Sequence, residues 1–228
     1  SGDLVKVADS SAVYLIQGAK KRVFPHYNVY LSWGYPVDFS SVKVVIASEL
    51  AAYADDNAVP FRDGSLFRGT AASLYGKEAS CVFAVSDAVL RPIKSAEIYQ
   101  ALYNDADFSL VTWVPDDLLS KFNYTIGDTV ESSSAHLNGD LVKYEGESQV
   151  YLIANGEKRA ISSVAIEANR LQNQNVISIA ASESYASGSA ITGAESAVTS
   201  PGWHTSLIVL KPCGSPSLAA DTPSAATV

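Results

Sequence analysis

The chain has 228 residues, 47% of them hydrophobic and 18% charged, which is enough apolar matter to close a sizeable core. Its formal net charge of -8 excludes the basic face that wrapping nucleic acid or lying on an anionic membrane demands. No run of about 18 apolar residues occurs, so no segment reads as a membrane-spanning helix.

Solubility accounts for the acidity, and surface binding of divalent cations is the sharper alternative. The sequence contains no methionine, and Ser1-Gly2-Asp3 runs straight into patterned wording, so the chain reads as the mature product of a longer precursor. Its two cysteines, Cys81 and Cys213, are expected to pair in an exported protein. Two buried free thiols are the alternative.

In the first part of the chain, residues 4–7, 13–16 and 22–24 are apolar runs parted by Ala8-Asp9-Ser10-Ser11 and Gln17-Gly18-Ala19. The separators are turn chemistry, so the runs read as a three-stranded antiparallel meander. The Lys158-Arg159 pair that follows Asn155-Gly156 farther along, the counterpart of Lys21-Arg22, falls at the start of a third strand and reads as a solvated strand edge. A short helix is expected next, over Val29, Ser32 and Trp33 until Gly34-Tyr35-Pro36 stops it, then a strand at 42–46 and a small helix at 48–53.

The same wording returns 137 positions later, without a gap from Gly2 to Tyr30 set against Gly139 to Glu167. Gly2-Asp3-Leu4-Val5-Lys6 becomes Gly139-Asp140-Leu141-Val142-Lys143, and Val13-Tyr14-Leu15-Ile16 becomes Val150-Tyr151-Leu152-Ile153. A more divergent copy stands between them at an offset of 69, where Arg22 meets Arg91, Tyr30 meets Tyr99 and Asp38-Phe39-Ser40 meets Asp107-Phe108-Ser109. In that copy Ser95 is set to cap a helix over 96–102, strand 110–114 follows, and Pro115-Asp116-Asp117 suits a helix start. It also inserts 74–80 just before Cys81. In the last copy Asn155-Gly156 marks a tight hairpin.

The expected fold is therefore α+β, with three tandem units at 1–60, 61–136 and 137–198, a C-terminal strand in 199–213 and a Ser/Ala/Thr/Pro-rich tail at 214–228. A Cys81–Cys213 bridge would fasten the last strand, 207–210, across the middle of the array. The tail is too poor in apolar residues to bury a core of its own.

Catalytic and metal signatures are missing from the sequence: His26, His136 and His204 stand far apart, and there is no HExxH, CxxC pair, GxSxG or glycine-rich phosphate loop. His26, replaced by Ser95 and Ser163 in the other units, reads as a cap or surface group. No cofactor is expected. Asp55-Asp56-Asn57, Asp105 with Asp107, and Asp116-Asp117 could offer oxygen ligands to calcium, though none has EF-hand spacing and solvated turns and helix starts explain all three. Asn123-Tyr124-Thr125 meets the minimal N-glycosylation pattern. Tyr27, Tyr30, Trp33 and Tyr35 are either a sugar or protein contact patch or packing between units.

The Gly-Asp-Leu-Val-Lys, Val-Tyr-Leu-Ile and Lys-Arg wording resembles a repeat of uncharacterised exported and cell-surface proteins of bacteria. The resemblance covers all three units and is weakest in the middle, where Lys20-Lys21-Arg22 becomes Val89-Leu90-Arg91. It implies an extracellular or envelope location and a non-catalytic module, and it supplies no functional residues. The expected function is a non-enzymatic structural subunit or decorating component of an extracellular assembly, a surface layer or pilus-like filament. An adhesion module for wall polymer or glycan is the alternative. Expected partners are further copies of the chain, other assembly subunits or glycan, with no nucleic acid and no membrane span.

Overall fold

A computed structural model describes residues 2–70, 80–115, 118, 126–199 and 201, and the backbone alone of 73–74, 77–78 and 125. The first meander is β1 (Leu4–Val7), β2 (Tyr14–Gln17) and β3 (Lys20–Val23), antiparallel in sequence order. After it come α1 (Tyr27–Ser32), β4 (Val42–Val45), α2 (Ala47–Ala51) and β5 (Ala54–Asp55). Strand β4 returns parallel to β1 and β5 runs parallel to β3, so the sheet order is β4-β1-β2-β3-β5. A helix after β3 carries the chain back past the sheet, which is how a meander acquires parallel outer strands.

The second part holds β6 (Leu66–Arg68), a small hairpin of β7 (Ser73–Leu74) and β8 (Lys77–Glu78), then β9 (Phe83–Ser86), β10 (Val89–Pro92), α3 (Ala96–Tyr103), β11 (Thr112–Trp113) and β12 (Thr125–Ile126). The third holds β13 (Leu141–Tyr144), β14 (Val150–Ala154), β15 (Glu157–Ile161), α4 (Ser163–Ala168), β16 (Val176–Ile179), β17 (Ala186–Ser187) and α5 (Ser196–Thr199). Their sheets are ordered β11-β6-β9-β10-β12 and β16-β13-β14-β15-β17, each again an antiparallel trio flanked by two parallel strands. The protein is thus α+β, with three five-stranded sheets and a few short helices. Tyr14, Phe83 and Tyr151 fall at the same register position, opposite Val5, Phe67 and Val142.

Turn chemistry sets the trios. Asn155 and Gly156 both take positive φ, 54° and 73°, the combination a two-residue type I′ hairpin requires, and Asp87 and Ala88 do the same at 55° each. Three helices are capped by a side chain. His26 accepts from the Asn28 N–H through Nδ1 at 3.1 Å, Ser95 from Ile98, and Ser162 from Ala165 at 3.1 Å. The third cap is thus Ser162, not Ser163, because α4 starts one residue earlier than the repeat offset implies.

Two core clusters each span a pair of sheets. Leu4, Leu15 and Tyr30 share one cluster with Phe67, Phe83, Val85 and Leu90, while Leu66, Val82 and Ala84 share another with Val142, Ile153 and Ile177. The alternation of β6 and β9 therefore sends one face to each neighbour, and every residue of β9 is buried. A third cluster, Leu141, Leu152, Ile161, Leu171 and Ile191, closes the far side of the last sheet.

Candidate functional site

Arginine decides how the parts are joined. Arg22 is buried: Nε donates to Asn57 O at 2.9 Å, Nη1 to Pro201 O at 3.0 Å and Nη2 to Ala58 O at 3.1 Å. Its register partners act alike, Arg91 Nε donating to Asp128 O at 3.3 Å and Arg159 Nε to Ser189 O at 2.7 Å. Each guanidinium fastens the segment after the fifth strand to the third strand, because a planar fork of donors can satisfy several stray carbonyls at once. Arg159 adds a bidentate pair with Glu195 at 2.8 and 2.9 Å.

Arg62, also buried, donates to Asn169 O at 2.7 Å, Arg170 O at 2.8 Å and Val198 O at 2.6 Å, so it ties the chain before β6 to the end of α4. Burial and the neighbouring Arg170 charge pull its pKa down to about 10. Arg170 in turn donates to Trp33 O at 3.1 Å and lies over the Tyr35 ring. At Gly64 and Gly139, with φ of 84° and 100°, two backbones meet so closely that a Cβ on either would enter the other's main chain.

Where these joints converge lies a cleft of about 450 Å³. Asn28, Leu31 and Val37 line it from the first sheet's side, Ser65, Tyr103 and Leu110 from the second, and Asp140, Arg170, Asn173 and Asn175 from the third. Asp140 is buried, and one carboxylate oxygen accepts from the Leu137 N–H at 2.9 Å. Burial pushes its pKa up to about 7 against that hydrogen bond. Tyr103 is 4% exposed, yet its hydroxyl has no hydrogen-bond partner. Its own pKa is raised by burial and then by the Asp140 charge. Such an arrangement can hold a small polar ligand.

Of the aromatic residues singled out from the sequence, Tyr30, Trp33 and Tyr35 are core, and only Tyr27 is exposed. The sequence reading missed the exposed Trp113, whose ring carries Arg68 at 4.5 Å and whose carbonyl accepts from Asn28 at 3.4 Å. His136 is buried as a bridge between the end of α3 and the 183–185 loop. Nε2 donates to Leu102 O at 2.7 Å, and Nδ1 lies 3.0 Å from the Tyr185 hydroxyl and 3.3 Å from Glu183.

The acidic groups proposed for calcium are engaged elsewhere. Asp55 pairs with Lys21 at 3.3 Å and Asp56 with Lys20 at 3.7 Å. Asp105 accepts from the Tyr99 hydroxyl, from Ser109 N and Oγ at 3.1 and 2.9 Å, and from Leu110 N at 3.0 Å. Burial opposes its ionisation, but the bonds from Leu110, Tyr99 and Ser109 prevail and hold its pKa at about 2. Asp107 makes no part of that constellation. Among the described residues no group of three or more His, Cys, Asp or Glu is placed to hold a metal ion. Asp116, Asp117, Asn123, His204, Cys213, the 207–210 strand and the 214–228 tail lie outside the described residues. Cys81 is half-buried against the first core cluster, ahead of β9. No helix among the described residues is long and apolar enough to cross a membrane.

The chain matches no family model, and no curated protein is significantly similar to it. Among solved structures it is similar to the periplasmic assembly from the ESX-5 inner membrane complex, with a TM-score of 0.22 and 11% identity over 92% of this chain and 71% of that one. It is similar also to an intact ESX-5 inner membrane complex, with a TM-score of 0.22 and 11% identity over 100% of this chain and 62% of that one. Likeness at this level carries no conclusion about fold or function.

Proposed function

We propose that the protein is a non-enzymatic structural subunit or decorating component of an extracellular bacterial assembly, of the surface-layer or pilus-like kind, whose three sheets are tandem copies of one module at 1–60, 61–136 and 137–198. The observation that carries this reading is where the buried polar side chains go. Arg22, Arg62 and Asn169 satisfy backbone carbonyls at joints between segments, and His136 does the same for α3, so these buried polar groups serve rigidity. Outer strands meanwhile expose apolar side chains, Val44 on β4 and Trp113 on β11, which suits lateral contacts between copies. The Cys81–Cys213 disulfide and an extracellular location belong to the same proposal and are supported by the sequence.

The tail is the element through which copies would join. Ordering 214–228 costs roughly 1 to 2 kcal/mol per residue in backbone entropy, and Leu218, Val228 and several alanines offset little of it locally. An extended peptide can recover that cost by adding to the strand edge of a neighbouring copy. Deleting 214–228 is expected to leave the melting transition of the monomer unchanged while abolishing or weakening ordered assemblies seen by electron microscopy. Assembly at the full-length level by the truncated chain would remove the tail from this role. The alternative, an adhesion module for wall polymer or glycan, is favoured by the polar cleft beside α1, α3 and β13.

A further inference from the structure

We infer that the cleft where the three sheets meet is a binding site for a neutral, hydroxyl-rich molecule, a sugar ring or comparable polyol, with Tyr103 and Asp140 at its base. The inference goes beyond the assembly reading and does not depend on it.

The first observation is the Tyr103 hydroxyl. A buried phenol normally finds a partner, because an O–H left unpaired away from water has lost its hydration without replacement. Tyr103 is 4% exposed, lines the cleft and has none. Asp140, buried on the same wall, engages one oxygen with the Leu137 N–H, and among the described residues no other group bonds to its carboxylate. Two polar groups short of partners on one wall are what a ligand hydroxyl, able both to donate and to accept, would complete.

Charge then narrows the class. The cleft carries one carboxyl, Asp140, and one guanidinium, Arg170, which disfavours a strongly anionic or cationic occupant. Three amide side chains, Asn173, Gln174 and Asn175, stand at its edge without a side-chain hydrogen bond among the described residues, each offering a donor and an acceptor. Leu31, Val37 and Ile177 add apolar wall, against which the C–H face of a sugar packs. A larger cleft, of about 800 Å³, lies beside Arg62 and Arg159, but each of those guanidinium groups already donates three hydrogen bonds within the protein, Arg62 to Asn169, Arg170 and Val198 and Arg159 to Ser189 and Glu195.

The test is titration of the full chain with glucose, N-acetylglucosamine, inorganic phosphate and calcium chloride, followed by amide chemical-shift mapping. A neutral sugar is expected to shift the amides of Ser65, Gly139 and Asn175. Tyr103→Phe should weaken that binding about fivefold without lowering Tm, since the deleted hydroxyl has no partner to lose. Asn173→Ala with Asn175→Ala, both on the surface, should weaken it about tenfold and leave the fold intact. The inference is overturned by sugar shifts that map elsewhere or are missing, by tighter binding of phosphate or calcium, or by a Tyr103→Phe variant that loses stability and keeps its affinity.

Discussion

Asp3 and Asp140 occupy the same place in identical wording, Gly-Asp-Leu-Val-Lys, and meet opposite surroundings. Asp3 sits at the surface 2.5 Å from Lys43, and its hydrogen bond and attraction to that ammonium lower its pKa. Asp140 faces the middle sheet, where burial raises its pKa to about 7. A folded-state pKa above the unfolded value means that the folded chain holds the extra proton, so stability is greatest below the unfolded pKa of about 4 and declines as pH climbs to about 7. Asp105 acts in the opposite sense: held at about 2, it contributes stability above the unfolded pKa, lost as pH falls through 2. Urea midpoints measured between about pH 4 and 8 should therefore fall with rising pH. Asp140→Asn should flatten the slope and gain stability at the alkaline end, and an unchanged slope in that variant would place the titrating group elsewhere.

At the scale of elements, local chemistry was readable and non-local chemistry was not. The Asn155-Gly156 hairpin, the Ser95 cap and the strands of each trio follow from residues within a few positions of one another. The parallel return of β4 beside β1 pairs Leu4 with Val42, and nothing in the spacing announces which edge a strand after a helix will join. Burial of Arg22 was hidden for the same reason, since the carbonyls it satisfies belong to residues 57, 58 and 201. Of the cleft, Asp140 appeared only as repeat wording, and Tyr103 did not figure in the sequence reading at all. A site assembled from three stretches leaves no motif in any of them. The glycines give a controlled test of how tight the joints are. Gly146 and Gly139 both need positive φ, but a Cβ at Gly146 meets open space and one at Gly139 meets the backbone of Asp63 and Gly64. Gly146→Ala should cost about 1 to 2 kcal/mol, the conformational penalty alone. Gly139→Ala should cost clearly more in the same denaturation experiment, and equal losses would show that the joint yields.

For the whole molecule the question is whether three sheets of one strand order behave as three domains or as one. In a linear array each unit contacts only its neighbours, and stability approximates a sum of unit and interface contributions. Here the central strands of the middle sheet are covered on both faces: Phe67, Phe83 and Val85 pack toward the first sheet, and Leu66, Val82 and Ala84 toward the third. Removing either neighbour would expose one of those faces, at roughly 1.5 to 3 kcal/mol for each large side chain uncovered, which is most of the stability a small domain has. Arg62 would also lose its acceptors Asn169, Arg170 and Val198 if the third unit were absent. Calorimetry of the described chain should accordingly show one transition with matching calorimetric and van't Hoff enthalpies, and the fragment 61–136 alone should stay unfolded by circular dichroism. Three resolved transitions, or a folded middle fragment, would mean that the interfaces are incidental and that the modules are independent beads, each free to be exchanged without loss to the others.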